Sequence, residues 1–130
     1  AKIRTGSLTS TDIELQSVEM DGSLTQTPEF PYNWMYDGSR PQMPGFEMEI
    51  TCKSLFLIFK DSGEMDVGKA DVFVNDVYCM TADPHKNNWL HCNAVLLFWE
   101  TESRSHKVRI TVTEEDQNKK FTILGFGYTI

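Results

Sequence analysis

Two stretches carry the side chains best suited to chemistry on a polar ligand. One is Asn87-Asn88-Trp89-Leu90-His91-Cys92-Asn93, amides around an indole and an imidazole, set just before an apolar run at 94–99. The other is Phe30-Pro31-Tyr32-Asn33-Trp34-Met35-Tyr36-Asp37-Gly38. Both read as loops, where binding groups tend to lie. Sugar rings have apolar C–H faces that stack on flat aromatic surfaces. Trp34 and Trp89 are therefore candidate platforms, and Tyr32 and Tyr36 candidate walls with a polar tip. An amide offers two donors and an acceptor, which suits Asn33, Asn87 and Asn88, together with His91, to reading hydroxyls. Each indole has two readings: a platform open to ligand, or a plug folded back over one end of the scaffold. Trp99 closes its apolar run beside Glu100 and Thr101. Core or edge packing is expected there, and an exposed face would need explaining.

Other reactive types are poorly arranged. Lys60-Asp61-Ser62-Gly63 pairs a serine with an acid, but lacks the leading glycine and following helix of a nucleophile elbow. Asp83-Pro84-His85 has no serine beside it. Both read as polar loops, and no catalytic residue is assigned. His85, His91, His106 and the cysteines Cys52, Cys79 and Cys92 share no ligand spacing. Glu114-Glu115-Asp116 is oxygen-rich enough for a hard cation, but reads first as a solvated turn. The expectation is no cofactor, with a structural calcium the one ion the composition leaves room for. Three cysteines without C-x-x-C spacing favour free thiols, with a Cys79–Cys92 bridge as the alternative.

At 130 residues the chain is long enough to bury a core as one domain, 1–130, with 1–11 as an extended lead-in. Its net charge of -7 argues against nucleic acid and anionic membrane surfaces, both of which recruit positive charge. A neutral glycan is unaffected. The longest apolar runs are too short to cross a bilayer as helices. No signal peptide is visible and the first residue is Ala1, which reads as a processed chain or an excised domain.

These side chains must be held by strands. Phe46-Glu47-Met48-Glu49-Ile50-Thr51 alternates apolar and polar, the mark of a half-buried strand. Residues 54–59 are nearly all apolar and read as a strand buried on both faces. Ala70, Val72 and Val74 alternate, and Asn75-Asp76 tolerates positive φ between this run and the next, a hairpin signal. Further strands are expected over 12–18, 94–99, 106–113 and 121–130, with Gly125 and Gly127 at bulge or close-approach positions. The stretch 24–45 is proline-rich, nearly aperiodic and reads as a long ordered loop. No window has helical apolar spacing. The expectation is all-β: an antiparallel sandwich, most simply a jelly roll.

Four blocks together resemble a known family: residues 46–55, Gly68-Lys69-Ala70-Asp71-Val72-Phe73-Val74-Asn75, residues 87–93, and Lys120-Phe121-Thr122-Ile123-Leu124-Gly125-Phe126-Gly127-Tyr128. They resemble the non-catalytic β-sandwich accessory domain of SGNH/GDSL-type carbohydrate esterases from gut and rumen bacteria, over roughly residues 12–130. The resemblance implies a secreted or cell-surface bacterial protein whose accessory domain works beside a covalently linked SGNH hydrolase domain on plant polysaccharide. That domain's Gly-Asp-Ser box and Asp-x-x-His pair have no counterpart here. The Trp34 and Trp89 loops then have two possible tasks: gripping glycan, or packing against the catalytic domain.

Overall fold

The computed structural model describes residues 1–12, 18–19, 26–27, 32–87 and 92–130. Among them there is no α-helix. The strands are β1 (Lys2–Arg4), β2 (Val18–Glu19), β3 (Gln26–Thr27), β4 (Trp34–Tyr36), β5 (Phe46–Lys60), β6 (Ala70–Val74), β7 (Val77–Ala82), β8 (Cys92–Val112) and β9 (Phe121–Thr129), with a 3-10 turn at Glu114–Asp116. Seven strands form one sheet in the order β4-β9-β5-β8-β6-β7, with β1 also on β5, and every strand pairing is antiparallel. β2 and β3 pair separately. The antiparallel all-β class read from the alternation is what folds. The ladder is one continuous sheet and delineates no jelly roll's pair of separate sheets.

β5 and β8 organise it, and each changes neighbours midway. The first half of β5 pairs with β1 and with residues 104–110 of β8; the second half pairs with residues 92–99 of β8 and with β9. Cys52 faces Arg104 while Ser54 faces Trp99, so residues 100–103 lie opposite Lys53 alone. Extra residues on one strand bend it. Side chains from both halves then meet in one core. Phe46, in the first, stacks on Phe126 of β9 (5.7 Å between centroids) and lies 5.2 Å from Trp34 of β4. Behind them Leu55, Leu57, Val72, Val108, Ile110 and Ile123 are fully enclosed. Strands expected separately at 46–51 and 54–59, and at 94–99 and 106–113, are thus each one bent strand.

Two further expectations change, and the lead-in proves to take part in the fold. The lead-in carries β1, and Leu8 sits in the core. Its turn depends on Gly6, whose φ of +57° and position against the Pro44 carbonyl admit no side chain, while Ser7 N–H donates to Pro44 O (2.7 Å). Residues 34–36, expected in a loop, pair with β9. The run 54–59 is not buried on both faces: Leu55, Leu57 and Phe59 face the core, but Phe56 is 40% exposed. The hairpin at Asn75-Asp76 forms as expected, with φ of 51° and 64°. No disulfide joins Cys52, Cys79 and Cys92, so Cys79–Cys92 is not bridged. Of the strand expected over 12–18, residues 13–17 lie outside the described residues.

Candidate functional site

Amides from the two aromatic–amide stretches are fastened to consecutive residues, Lys60 and Asp61, at one end of β5. Lys60 Nζ lies 2.8 Å from Asp12 Oδ2, with the side chains 18% and 10% exposed. Thr122 Oγ1 donates to the same carboxylate (3.4 Å). The Asp12 backbone is clasped by Asn33: Asp12 N–H donates to Asn33 Oδ1 (2.8 Å), and Asn33 Nδ2 donates to Asp12 O (3.3 Å). One residue on, buried Asp61 accepts from Asn93 Nδ2 (2.8 Å), and Asn93 Oδ1 accepts from Asn87 Nδ2 (2.8 Å). Lys60 therefore leads to the 32–34 stretch and Asp61 to the 87–93 stretch. A hollow of about 160 Å³ lies here, lined by Asp12, Lys60, Thr122, Met35, Glu64 and Lys120 among others.

The expected binding residues divide into four groups. Trp34 and Tyr36, two apart on β4, share one face, and strand parity turns that face inward. Trp34 is half-buried, tilted against Phe46 and Phe126. Tyr36 is 1% exposed, and its hydroxyl donates to Gln117 O (2.5 Å). Burial, then the Asp37 charge, pushes its phenol up. As a wall for ligand Tyr36 is therefore corrected: its ring is core and its polar tip is spent. Tyr32, just before the Asn33 clasp, is 84% exposed. Asn33 and Asn87 direct amide groups at neighbouring protein, so both act as fastenings. Asn88, Trp89 and His91 lie outside the described residues.

Trp99 is the ring that sequence reasoning placed in packing, yet it is 77% exposed. It stands opposite Ser54, outside the core, while Phe98 turns inward against His106 (4.1 Å between ring centroids). His106 Nε2 contacts Glu100 Oε1 (2.5 Å). Asn75 Oδ1 accepts from Lys107 N–H, which leaves Asn75 Nδ2 to donate to His106 Nδ1 (2.9 Å). That makes Nδ1 the acceptor and puts the ring proton on Nε2, which lies close to the Glu100 carboxylate but outside hydrogen-bonding geometry.

The remaining polar loops are structurally committed. His85 Nε2–H donates to Val67 O (2.6 Å), and Asp83 Oδ1 accepts from His85 N–H (2.9 Å). Ser62 Oγ accepts from Glu64 N–H (3.1 Å). Asp116 is buried and accepts from Lys69 N–H (2.8 Å), which, with Lys119 nearby, holds its carboxyl below the usual range. No group of three or more His, Cys, Asp or Glu suited to a metal ion occurs among the described residues. A wider groove of about 800 Å³ runs past Lys69, Asp71, Thr81, Asp83, Lys86 and Glu114; none of the described residues lining it is aromatic. No helix among the described residues is long and apolar enough to cross a membrane.

The chain matches no family model and no curated protein. Its fold is similar to part of a solved structure, a family two carbohydrate esterase from Cellvibrio japonicus. The likeness is of fold alone. It covers 75% of this chain and 26% of the esterase chain, with a TM-score of 0.54 and 16% sequence identity.

Proposed function

We propose that this chain is a non-catalytic carbohydrate-binding domain of an extracellular protein, recognising a neutral plant polysaccharide of the β-glucan, mannan or xylan type. The observation that carries the reading is that amides of both aromatic–amide stretches are fastened to the consecutive residues Lys60 and Asp61, Asn33 through Asp12 and Asn93 directly, with the exposed Tyr32 ring next to Asn33. In this reading Tyr32 and Trp89 offer ring faces, Asn88 and His91 read hydroxyls, and Trp34, Asn33 and Asn87 hold the frame. The fold shared with part of a carbohydrate esterase fits such a role, and the charge of -7 brings no penalty with an uncharged glycan.

The test is native affinity electrophoresis through soluble β-glucan, glucomannan and arabinoxylan. The native chain is expected to be retarded by at least one. Trp89→Ala and Tyr32→Ala are expected to lose most of that retardation with an unchanged far-ultraviolet spectrum. Free migration of the native chain through every gel would count against the reading. A second reading is an accessory domain packed against an SGNH-type catalytic domain. It is favoured by the likeness covering only 26% of the esterase chain.

A further inference from the structure

The outward face of the second half of β5, with its neighbours in β8 and β9, forms three rungs. Trp99, Ser54 and Thr129 make the first. Leu96, Phe56 and Gly127 make the second, and Ala94, Ile58 and Gly125 the third. Leu96 is 52% exposed, and no residue of the three rungs carries a charge. Phe56 forms a wall down the middle. On the β9 side of that wall lies a lane of bare backbone, with the exposed Thr129 at the Trp99 end and the Lys60–Thr122 end beyond Gly125.

The two glycines are the telling feature. Neither has a positive φ. A Cβ on Gly125 would meet nothing within 4 Å, and one on Gly127 would touch only Phe56 Cβ, at an ordinary 3.8 Å. The fold has room for a Cβ at both positions, and glycine inside a strand weakens it. What their absence leaves is close access to the backbone beside an aromatic wall.

We propose that this face is a glycan-binding surface, on which an extended neutral polysaccharide lies along the Gly125–Gly127 lane against Phe56 with one sugar ring stacked on Trp99. The proposal rests on the carbohydrate reading above and adds a surface to it. Two observations favour a sugar chain over a protein partner. From strand spacing and rise, the face spans about 14 Å by about 17 Å, roughly 240 Å². A stable protein interface needs about 800 Å² from each partner. A second copy of this chain would also bring its own charge of -7 against the first.

The test compares Gly125→Val, Gly127→Val and Trp99→Ala with the native chain, in the same three polysaccharide gels and in urea denaturation. Valine suits a strand, so both glycine variants are expected to hold or raise the denaturation midpoint. Binding by each variant is expected to fall about tenfold or more. Lost binding with intact stability supports the proposal. Native-level binding by all three variants overturns it, while a loss confined to Trp89→Ala leaves the carbohydrate reading standing. Absence of binding by the native chain overturns both. Destabilised valine variants would show that the fold itself needs the glycines, and overturn the proposal. A native dimer dissolved by Trp99→Ala in sedimentation would give the face to a second copy and overturn it too.

Discussion

Replacing Lys60 by methionine removes the cation 2.8 Å from Asp12 and keeps a side chain of similar length. With the pair only 18% and 10% exposed, water compensates poorly for the lost partner. Removing one member of a buried pair costs about 3–5 kcal/mol, and the residual exposure of Lys60 points to the lower end, about 3 kcal/mol. With a urea m-value of about 1.5 kcal/mol/M, the midpoint followed by tryptophan fluorescence should fall by about 2 M. Asp12→Asn is expected to cost a similar amount. The double variant Asp12→Asn/Lys60→Met should be less destabilised than the sum, by a coupling of about 2 kcal/mol. Because the Asp12 backbone is clasped by Asn33, Lys60→Met should also loosen the Tyr32 stretch and lower polysaccharide retardation. A midpoint shift under about 0.7 M would match an exposed ion pair worth no more than about 1 kcal/mol, and would refute the claim that this pair fastens the site.

Two further outcomes follow from local geometry. Gly6→Ala forces a side chain into left-handed backbone, with its Cβ 2.1 Å from Pro44 O, and should cost more than about 2 kcal/mol in the same denaturation assay. A loss of a few tenths would mean that the 5–8 turn relaxes freely. Asp37 accepts hydrogen bonds from the Ser10 hydroxyl first and from Ser39, which bring its carboxyl down to about 2. A carboxylate lowered on folding stabilises fully above its unfolded value of about 3.9, and that contribution is lost as pH falls through the folded value. Asp37→Asn should therefore narrow its stability deficit against the native chain between about pH 4 and pH 2. A deficit independent of pH in that window would refute the linkage.

What could be read from the sequence was whatever strict alternation specifies. The faces of 46–51 and 106–113, and the positive-φ hairpin at Asn75-Asp76, need no tertiary information. Strand continuity did need it. Lys53 faces 100–103 across an irregularity that interrupts both periodicities, so two bent strands look like four straight ones. β4 was hidden because Trp34-Met35-Tyr36 is too short to show alternation and lies in a proline-rich stretch. The site was half legible for the same reason. Residue types named the rings and amides, but parity decided that Trp34 and Tyr36 turn inward, and parity depends on the register with β9. Nor can an asparagine announce its partner: Asn33 and Asn87 have the chemistry to read a sugar hydroxyl, and their amides are directed at protein instead.

The apolar run at 54–59 shows where sequence periodicity loses its force. When both parities are apolar, alternation cannot say which is enclosed, and burial on both faces is the economical assumption. The deciding residues sit on another strand. Gly125 faces Ile58 and Gly127 faces Phe56, so β9 offers no side chain to cover these two outward residues. On the other side β8 supplies Leu96 and Ala94, apolar again but themselves exposed. Each outward apolar side chain forgoes roughly 25 cal/mol per Å² that burial would contribute. Filling the glycine positions would recover part of that, because the space is open. A strand that keeps an aromatic wall uncovered, beside two positions where a Cβ fits, forgoes stability from both features at one place. Coincident stability losses of this kind are expected at functional surfaces, and here they coincide with the most open indole described in the chain.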